Sequence, residues 1–304
     1  MGRELAADPA LFDGSLRHQV VLAHQDDEVG FAGVLQRLPG DTPIVWLTNG
    51  DGLAPRYHAE PEVYARTRRG ESMDAVAAVG VEASRLTFLG HSELAIYRNL
   101  AALVLTGPSS EALAFFDGLY ADVLAAVRAR APQVLWTLAW QGGHTGHDLV
   151  HLLVTVAARA LARETGCPIR LVEVPEYELA SLVALRFRPW RRAPHHVLRL
   201  TPGEYARKWR LLNSYPSQGD IIRGFQILIR IYGVLGWFRL RRVTLPSFLS
   251  QEQFAEVPVG RDLTRSTHLS SRLDYLFDRW YDAPMRFDRT LAVLARHLLE
   301  ASGG

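Results

Sequence analysis

Short runs of consecutive apolar residues recur along the first part of the chain. Between them lie longer stretches in which apolar and polar positions mix at helical spacing. The runs at 20–23, 44–47, 86–89, 134–136 and 169–172 read as buried strands. The stretches 29–38, 62–79, 110–128 and 147–162 read as helices, the first stopped by Pro39-Gly40 and the second by Gly80. Strand and helix in alternation predict an α/β, Rossmann-like fold, a mostly parallel sheet with helices on both faces. Ligands of such sheets bind outside the carboxyl ends of the strands. Polar clusters at 24–28, 48–51 and 140–147 each follow a strand end, so they are expected to meet in space.

Beyond residue 175 the alternation gives way to apolar, arginine-rich and proline-containing pieces. Thr201-Pro202-Gly203-Glu204 looks like a helix start, and 270–299 reads as a helix. With no internal repeat or low-complexity linker, the expected organisation is a domain over 1–220 and a mainly helical C-terminal elaboration over 221–304, packed on the same domain.

Composition narrows the function classes. The 304 residues carry 34 basic and 32 acidic side chains, a net charge of +2, and this balance argues against nucleic-acid binding. Cys167 is the single cysteine, which excludes an internal disulfide, indicates no oxidising compartment and reads as a small core residue. The N-terminus has no signal-peptide pattern. The longest apolar stretch, 225–238, is interrupted by Arg230 and falls short of the ~20 residues that span a bilayer, so a cytoplasmic protein is expected. Arginines 186, 188, 191 and 192, and again 239, 241 and 242, sit near Phe187, Trp190, Trp237 and Phe238. They read as a solvated basic face in preference to a membrane-contacting one.

The polar clusters carry the chemistry. In His24-Gln25-Asp26-Asp27-Glu28, two adjacent carboxylates directly follow a buried strand. They need a positive partner there, and a divalent metal held by an imidazole and a carboxylate is one solution. A solvated turn whose acids cap the next helix is the other. In Trp140-Gln141-Gly142-Gly143-His144-Thr145-Gly146-His147, two histidines open a helix after two glycines, which suits one metal ligand and one substrate neighbour. His151 lies a turn further along a helix that is apolar nearly all round, and reads as a hydrogen-bonded core residue.

Together these segments resemble the PIG-L/LmbE-like family of zinc-dependent N-deacetylases. Ala23-His24-Gln25-Asp26-Asp27-Glu28 is similar to that family's Ala-His-Pro-Asp-Asp-Glu signature. Leu47-Thr48-Asn49-Gly50-Asp51, Arg68 with Glu71, the 142–148 histidine motif, and Lys208 with Tyr215-Pro216-Ser217-Gln218 resemble further family elements in order. The resemblance implies a zinc ligand set of His24, Asp27 and His147, with Fe2+ as the other metal such a site can take. It implies Asp26 as the general base that activates water at the metal, and His144 as a stabiliser of the oxyanion. Arg68, Asp51 and Trp140 are the expected substrate contacts. The implied substrate is an N-acetylated amino sugar or glycoconjugate. Amide hydrolysis of a thiol conjugate or another N-acyl compound, and a carbohydrate- or lipid-binding protein with little turnover, are the rival readings. Two positions depart from the family pattern. Gln25 replaces a proline, and Gly146 replaces an aspartate, leaving Asp148 as the nearest carboxylate to orient His144.

Overall fold

A computed structural model describes residues 3–178, 183–188, 191–237, 244–258, 260–267, 274–280 and 283–303. In chain order the first half runs β1 (Glu4–Ala6), β2 (His18–Leu22), α1 (Glu28–Leu35), β3 (Ile44–Thr48), α2 (Pro61–Ala77), β4 (Leu86–His91), α3 (Glu93–Thr106), α4 (Ser110–Arg130) and β5 (Val134–Leu138). It continues through α5 (Thr145–Thr165), β6 (Arg170–Val174), β7 (Tyr177–Glu178), β8 (Val183–Ala184), β9 (His195–Arg199), α6 (Pro202–Leu212), α7 (Gly219–Trp237) and α8 (Leu245–Leu249). It ends with β10 (Gln251–Glu256), β11 (Asp274–Trp280), β12 (Ala283–Arg286) and α9 (Leu291–Ala301).

Among the described residues, eight strands form one sheet in the order β1-β9-β10-β6-β5-β2-β3-β4. The β6-β5-β2-β3-β4 part is parallel, whereas β10 runs antiparallel to both its neighbours. Every residue of β2, β3 and β5 is buried, which is why these segments read as continuous apolar runs. From β2 the chain passes to β3 on one side and later returns to β5 on the other. The crevice at such a reversal opens beyond the carboxyl ends of these strands, where the three polar clusters lie.

The α/β alternation foreseen from the sequence is present, with two differences. Helix α3 was not foreseen, although Ser92 caps it by accepting a hydrogen bond from the Ala95 N–H at 3.1 Å, and Glu93 follows at once. The helix expected over 270–299 is instead the hairpin β11–β12 followed by α9. Pro284 explains the difference: it would break a helix interior, but it is tolerated in a two-stranded sheet. Cys167 is exposed, so the core role expected of it is wrong; it follows the left-handed Gly166 cap that ends α5. Nor do the described arginines of the 186–192 group form one solvated face. Arg186 and Arg188 donate to the Phe248 and Thr267 carbonyls, Arg191 pairs with Glu173, and Arg192 is exposed. Trp190, Phe238, Arg239, Arg241 and Arg242 lie outside the described residues.

Two buried carboxylates hold the late segments to the early sheet. Glu252 of β10 accepts from the backbone N–H groups of Gly33 (2.7 Å) and Val34 (3.0 Å) in α1, and from Lys208 Nζ at 2.7 Å. Glu173 of β6 accepts from Arg261 Nη2 at 2.9 Å and Arg191 Nη1 at 3.1 Å. Burial alone would raise its pKa, but Arg261 and Arg191 bring it down to about 2.

Glu252→Ala strands the Lys208 ammonium in the interior, so urea unfolding should show a loss of about 3–5 kcal/mol. For Glu173 the folded pKa lies below the unfolded value, so its contribution is present above about pH 4.5 and fades as pH falls towards 2. Acid titration of stability should therefore be shallower in Glu173→Gln than in the parent over that window, and an unchanged slope would remove Glu173 from the account.

Candidate functional site

The turn after β2 is built around its own carboxylates. Asp27 Oδ2 accepts from the backbone N–H groups of Ala23 and His24, both at 2.8 Å. That leaves Oδ1 facing His147 Nε2 at 2.9 Å and His24 Nδ1 at 3.7 Å. Asp26 has φ 133°, a strained value for a side-chain-bearing residue. Glu28 holds this conformation: it accepts from the Asp26 N–H at 3.0 Å and from Trp46 Nε1 at 3.3 Å, and the Tyr215 hydroxyl closes the set. Glu28 therefore braces the turn. Gln25, in the place of the family's proline, donates to the Thr48 carbonyl at 2.8 Å and ties the turn to the end of β3. It packs on Gly50, where a Cβ would stand 2.3 Å from Gln25 Oε1 and where φ is +74°.

The second cluster sits at the start of α5. Nitrogen atoms of His24, His144 and His147 lie within 4.8 Å of one another. Gly143 allows the loop to pass against the Tyr177 backbone, whose carbonyl oxygen would be 2.2 Å from a Cβ there. His144 Nε2 lies 3.4 Å from the Tyr97 hydroxyl. Burial, His147 and His24 push the His144 pKa well below the ordinary histidine value. Asp148 does not orient His144, contrary to expectation. Its carboxylate accepts from the Gln141 and Gly142 N–H groups, each at 2.9 Å, and from Tyr275 at 2.8 Å, so it shapes the loop instead. His151 is a core residue as read from the sequence, fully buried with Nδ1 2.7 Å from the Leu138 carbonyl.

Arg68 of α2 is 2% exposed and reaches Asp26 Oδ2 at 3.3 Å. Its Nε and Nη1 make no hydrogen bond among the described residues. Burial pushes the Asp26 pKa up to about 7 against the pull of Arg68. His24 Nε2 faces Glu93 Oε1 at 3.5 Å, and Glu93 also accepts from the Gly52 N–H at 3.2 Å. Sequence reasoning missed Glu93, Tyr97 and Tyr177. Ser92 followed by an acid was the available signal for the first, and nothing local marked the two tyrosines. These residues surround a cavity of about 430 Å3 lined by His24, Asp26, Arg68, Glu93, His144 and His147, among others.

Two expected substrate contacts are not brought to this cavity. Asp51 is buried, with its carboxylate accepting from Ser92 Oγ at 2.7 Å and the Leu94 N–H at 3.1 Å; it fixes the start of α3 and thereby Glu93. Trp140 donates to the Arg265 carbonyl at 3.2 Å and packs on His151 and Phe287. It lines a separate arginine-rich cleft with Arg188 and Arg191, because the chain turns between Trp140 and His144.

The donor set fits a divalent cation. Atoms around one four-coordinate zinc at about 2.0–2.2 Å stand roughly 3.3 Å apart. The Asp27–His147 and Asp27–His24 separations of 2.9 and 3.7 Å bracket that spacing. Glu93 behind His24 is the kind of outer partner that orients a ligating imidazole. Gly146 is part of the same fit, since a Cβ there would stand 2.8 Å from His24 Cε1 and Nε2. Gly146→Ala should therefore displace His24 and weaken zinc binding about 10–100-fold in a competition titration. Unchanged affinity would show that this contact does not control the ring.

Residues 19–158 match the family described as PIG-L: GlcNAc-PI de-N-acetylase. No curated protein matches the chain. Among the solved structures that share the fold are three deacetylases. The A40926 pseudoaglycone deacetylase Dbv21 is 17% identical with a TM-score of 0.52, covering 79% of this chain and 96% of its own. A deacetylase of teicoplanin biosynthesis, in its bog complex, is 14% identical with a TM-score of 0.53, covering 79% and 98%. The N,N'-diacetylchitobiose deacetylase from Pyrococcus horikoshii is 14% identical with a TM-score of 0.51, covering 80% and 85%. No helix among the described residues is long and apolar enough to cross a membrane. The signature turn and the histidine motif both lie inside the matched segment, so over residues 19–158 the chain is similar to the PIG-L family.

Proposed function

We propose that this chain is a metal-dependent hydrolase that cleaves the N-acyl amide of an amino sugar or glycoconjugate, acetamide being the simplest such group. The convergence of His24, Asp27 and His147 on one point, with Asp26 beside it, carries the reading. His24, Asp27 and His147 would hold Zn2+, or Fe2+. A divalent cation there supplies Lewis acidity towards a carbonyl and lowers the pKa of water. Asp26 lies outside the ligand set, aimed by its strained backbone and steadied by Arg68. It accepts the proton of the attacking water and returns it to the leaving amine. His144 donates an N–H to the amide oxygen as that oxygen gains charge. The Arg68 guanidinium, one of the residues lining the polar cavity, faces the sugar side of the site.

Residues 1–220 carry this machinery in the proposal, and 221–304 add helices packed on it together with β10, which joins β9 to β6 in the sheet. The polar cavity with its buried metal donors favours an enzyme over a binding protein of the same shape, because nothing in sugar binding requires Asp26 beside those donors.

Asp26→Asn should retain one zinc per chain and lose about 10²–10⁴-fold in kcat on an N-acetyl amino sugar, followed by mass-spectrometric detection of acetate. Full activity in this variant would remove Asp26 as the base.

A further inference from the structure

The arginine-rich cleft beside Trp140 has a volume of about 390 Å3 and shares no lining residue with the cavity of the histidines. Its charge is unbalanced. Arg188, Arg191, Arg192 and Arg261 line it, against the two carboxylates Glu173 and Glu178. Arg261 forks onto both oxygens of Glu173, and Arg191 Nη1 reaches one of them at 3.1 Å. Glu173 is thereby fully occupied. Arg188 donates to the Thr267 carbonyl, and neither it nor Arg192 meets a carboxylate among the described residues. Arg191 is clamped rather than solvated: its guanidinium carbon lies 4.0 Å from the centre of the Phe187 ring, and its side chain is 13% exposed. Its Nε makes no hydrogen bond among the described residues. Burial, and then Arg261 and Arg188, push the Arg191 pKa down against the pull of Glu173, so these guanidiniums feel one another.

We propose that this cleft is a second binding site, separate from the metal donors, for a phosphate group, free or as a monoester. Four guanidiniums facing two carboxylates leave an excess that a dianion balances, and a phosphate monoester carries about −1.5 to −2 near pH 7. A carboxylate is planar and takes one arginine fork, as Glu173 does with Arg261. A phosphate is tetrahedral and accepts from several guanidiniums arriving from different directions. Arg191 and Arg261 are already held in place by Glu173 and Phe187, so little side-chain freedom is lost on binding. The cleft volume lies within the roughly 300–1,000 Å3 of small-molecule pockets and leaves room for a small esterified group. The site lies behind the catalytic loop. Glu173 Oε2 accepts from the Trp140 N–H at 3.5 Å, and Thr267 Oγ1 donates to the Trp140 carbonyl at 3.2 Å. A phosphate held there touches none of His24, Asp27 and His147, so its binding is independent of metal.

The test is titration calorimetry on the full-length protein, before and after EDTA treatment, with inorganic phosphate and with glycerol phosphate. The expected result is one saturable site per chain with the same affinity in both preparations, and no heat from glycerol or acetate at equal concentration. Arg192→Gln changes an exposed side chain and should weaken binding about tenfold; Arg191→Gln should weaken it at least as much. Should Arg191→Gln fail to fold, Arg192→Gln and Arg188→Gln still decide. Tighter binding of glycerol phosphate assigns the site to an ester, and tighter binding of inorganic phosphate assigns it to the free ion; either carries the proposal. Binding that EDTA treatment removes and that all three arginine variants keep would place the phosphate on the metal and overturn the cleft site. Absence of saturable binding by either probe overturns it as well.

Discussion

The site depends on how Asp27 divides its two oxygens. One is held by the backbone N–H groups of Ala23 and His24, which pins the carboxylate to the end of β2. The other is thereby fixed towards His147, a residue that arrives from the far side of β5. His147 and His24, against the effect of burial, hold the Asp27 carboxyl well below the usual carboxylate range. A buried carboxylate without such partners would be several kcal/mol too costly to keep ionised. The neighbouring Asp26 is pushed the other way by burial, against the pull of Arg68 at 3.3 Å, so two adjacent aspartates acquire different electrostatic roles from one turn.

Much of the scaffolding exists to preserve that division. Tyr215 and Trp46 reach Glu28, which in turn holds the Asp26 N–H, so a residue from the segment after α6 stabilises a turn near the start of the chain. Ser217 reaches Glu71 in the same region. Lys208, the single lysine, is spent on Glu252 rather than on solvent or substrate. The late family-like elements thus act by bracing α1 and α2, which carry Glu28 and Arg68.

What the sequence made legible was the local pattern. Buried parallel strands announce themselves as apolar runs, and the turn at 24–28 and the histidines at 144 and 147 stand at strand and helix ends where ligands bind. What stayed hidden depended on side-chain direction over long separations. Asp51 and Trp140 follow strand ends just as His24 does, yet one is consumed by the start of α3 and the other faces Arg265. Asp148 is near His144 in sequence but points to the 141–142 backbone, and Tyr97 from α3 stands beside the imidazole instead. Gly146 makes sense only in three dimensions, where His24 occupies the space a side chain would need.

The central claim is that Asp27, and not His144, completes the metal set with His24 and His147. The three histidines are themselves close enough to compete for that role. Equilibrium dialysis against zinc, with bound metal counted per chain, separates the two. The account predicts that His144→Ala keeps one tightly bound zinc while Asp27→Asn loses it. Zinc retained by Asp27→Asn and lost by His144→Ala would contradict it.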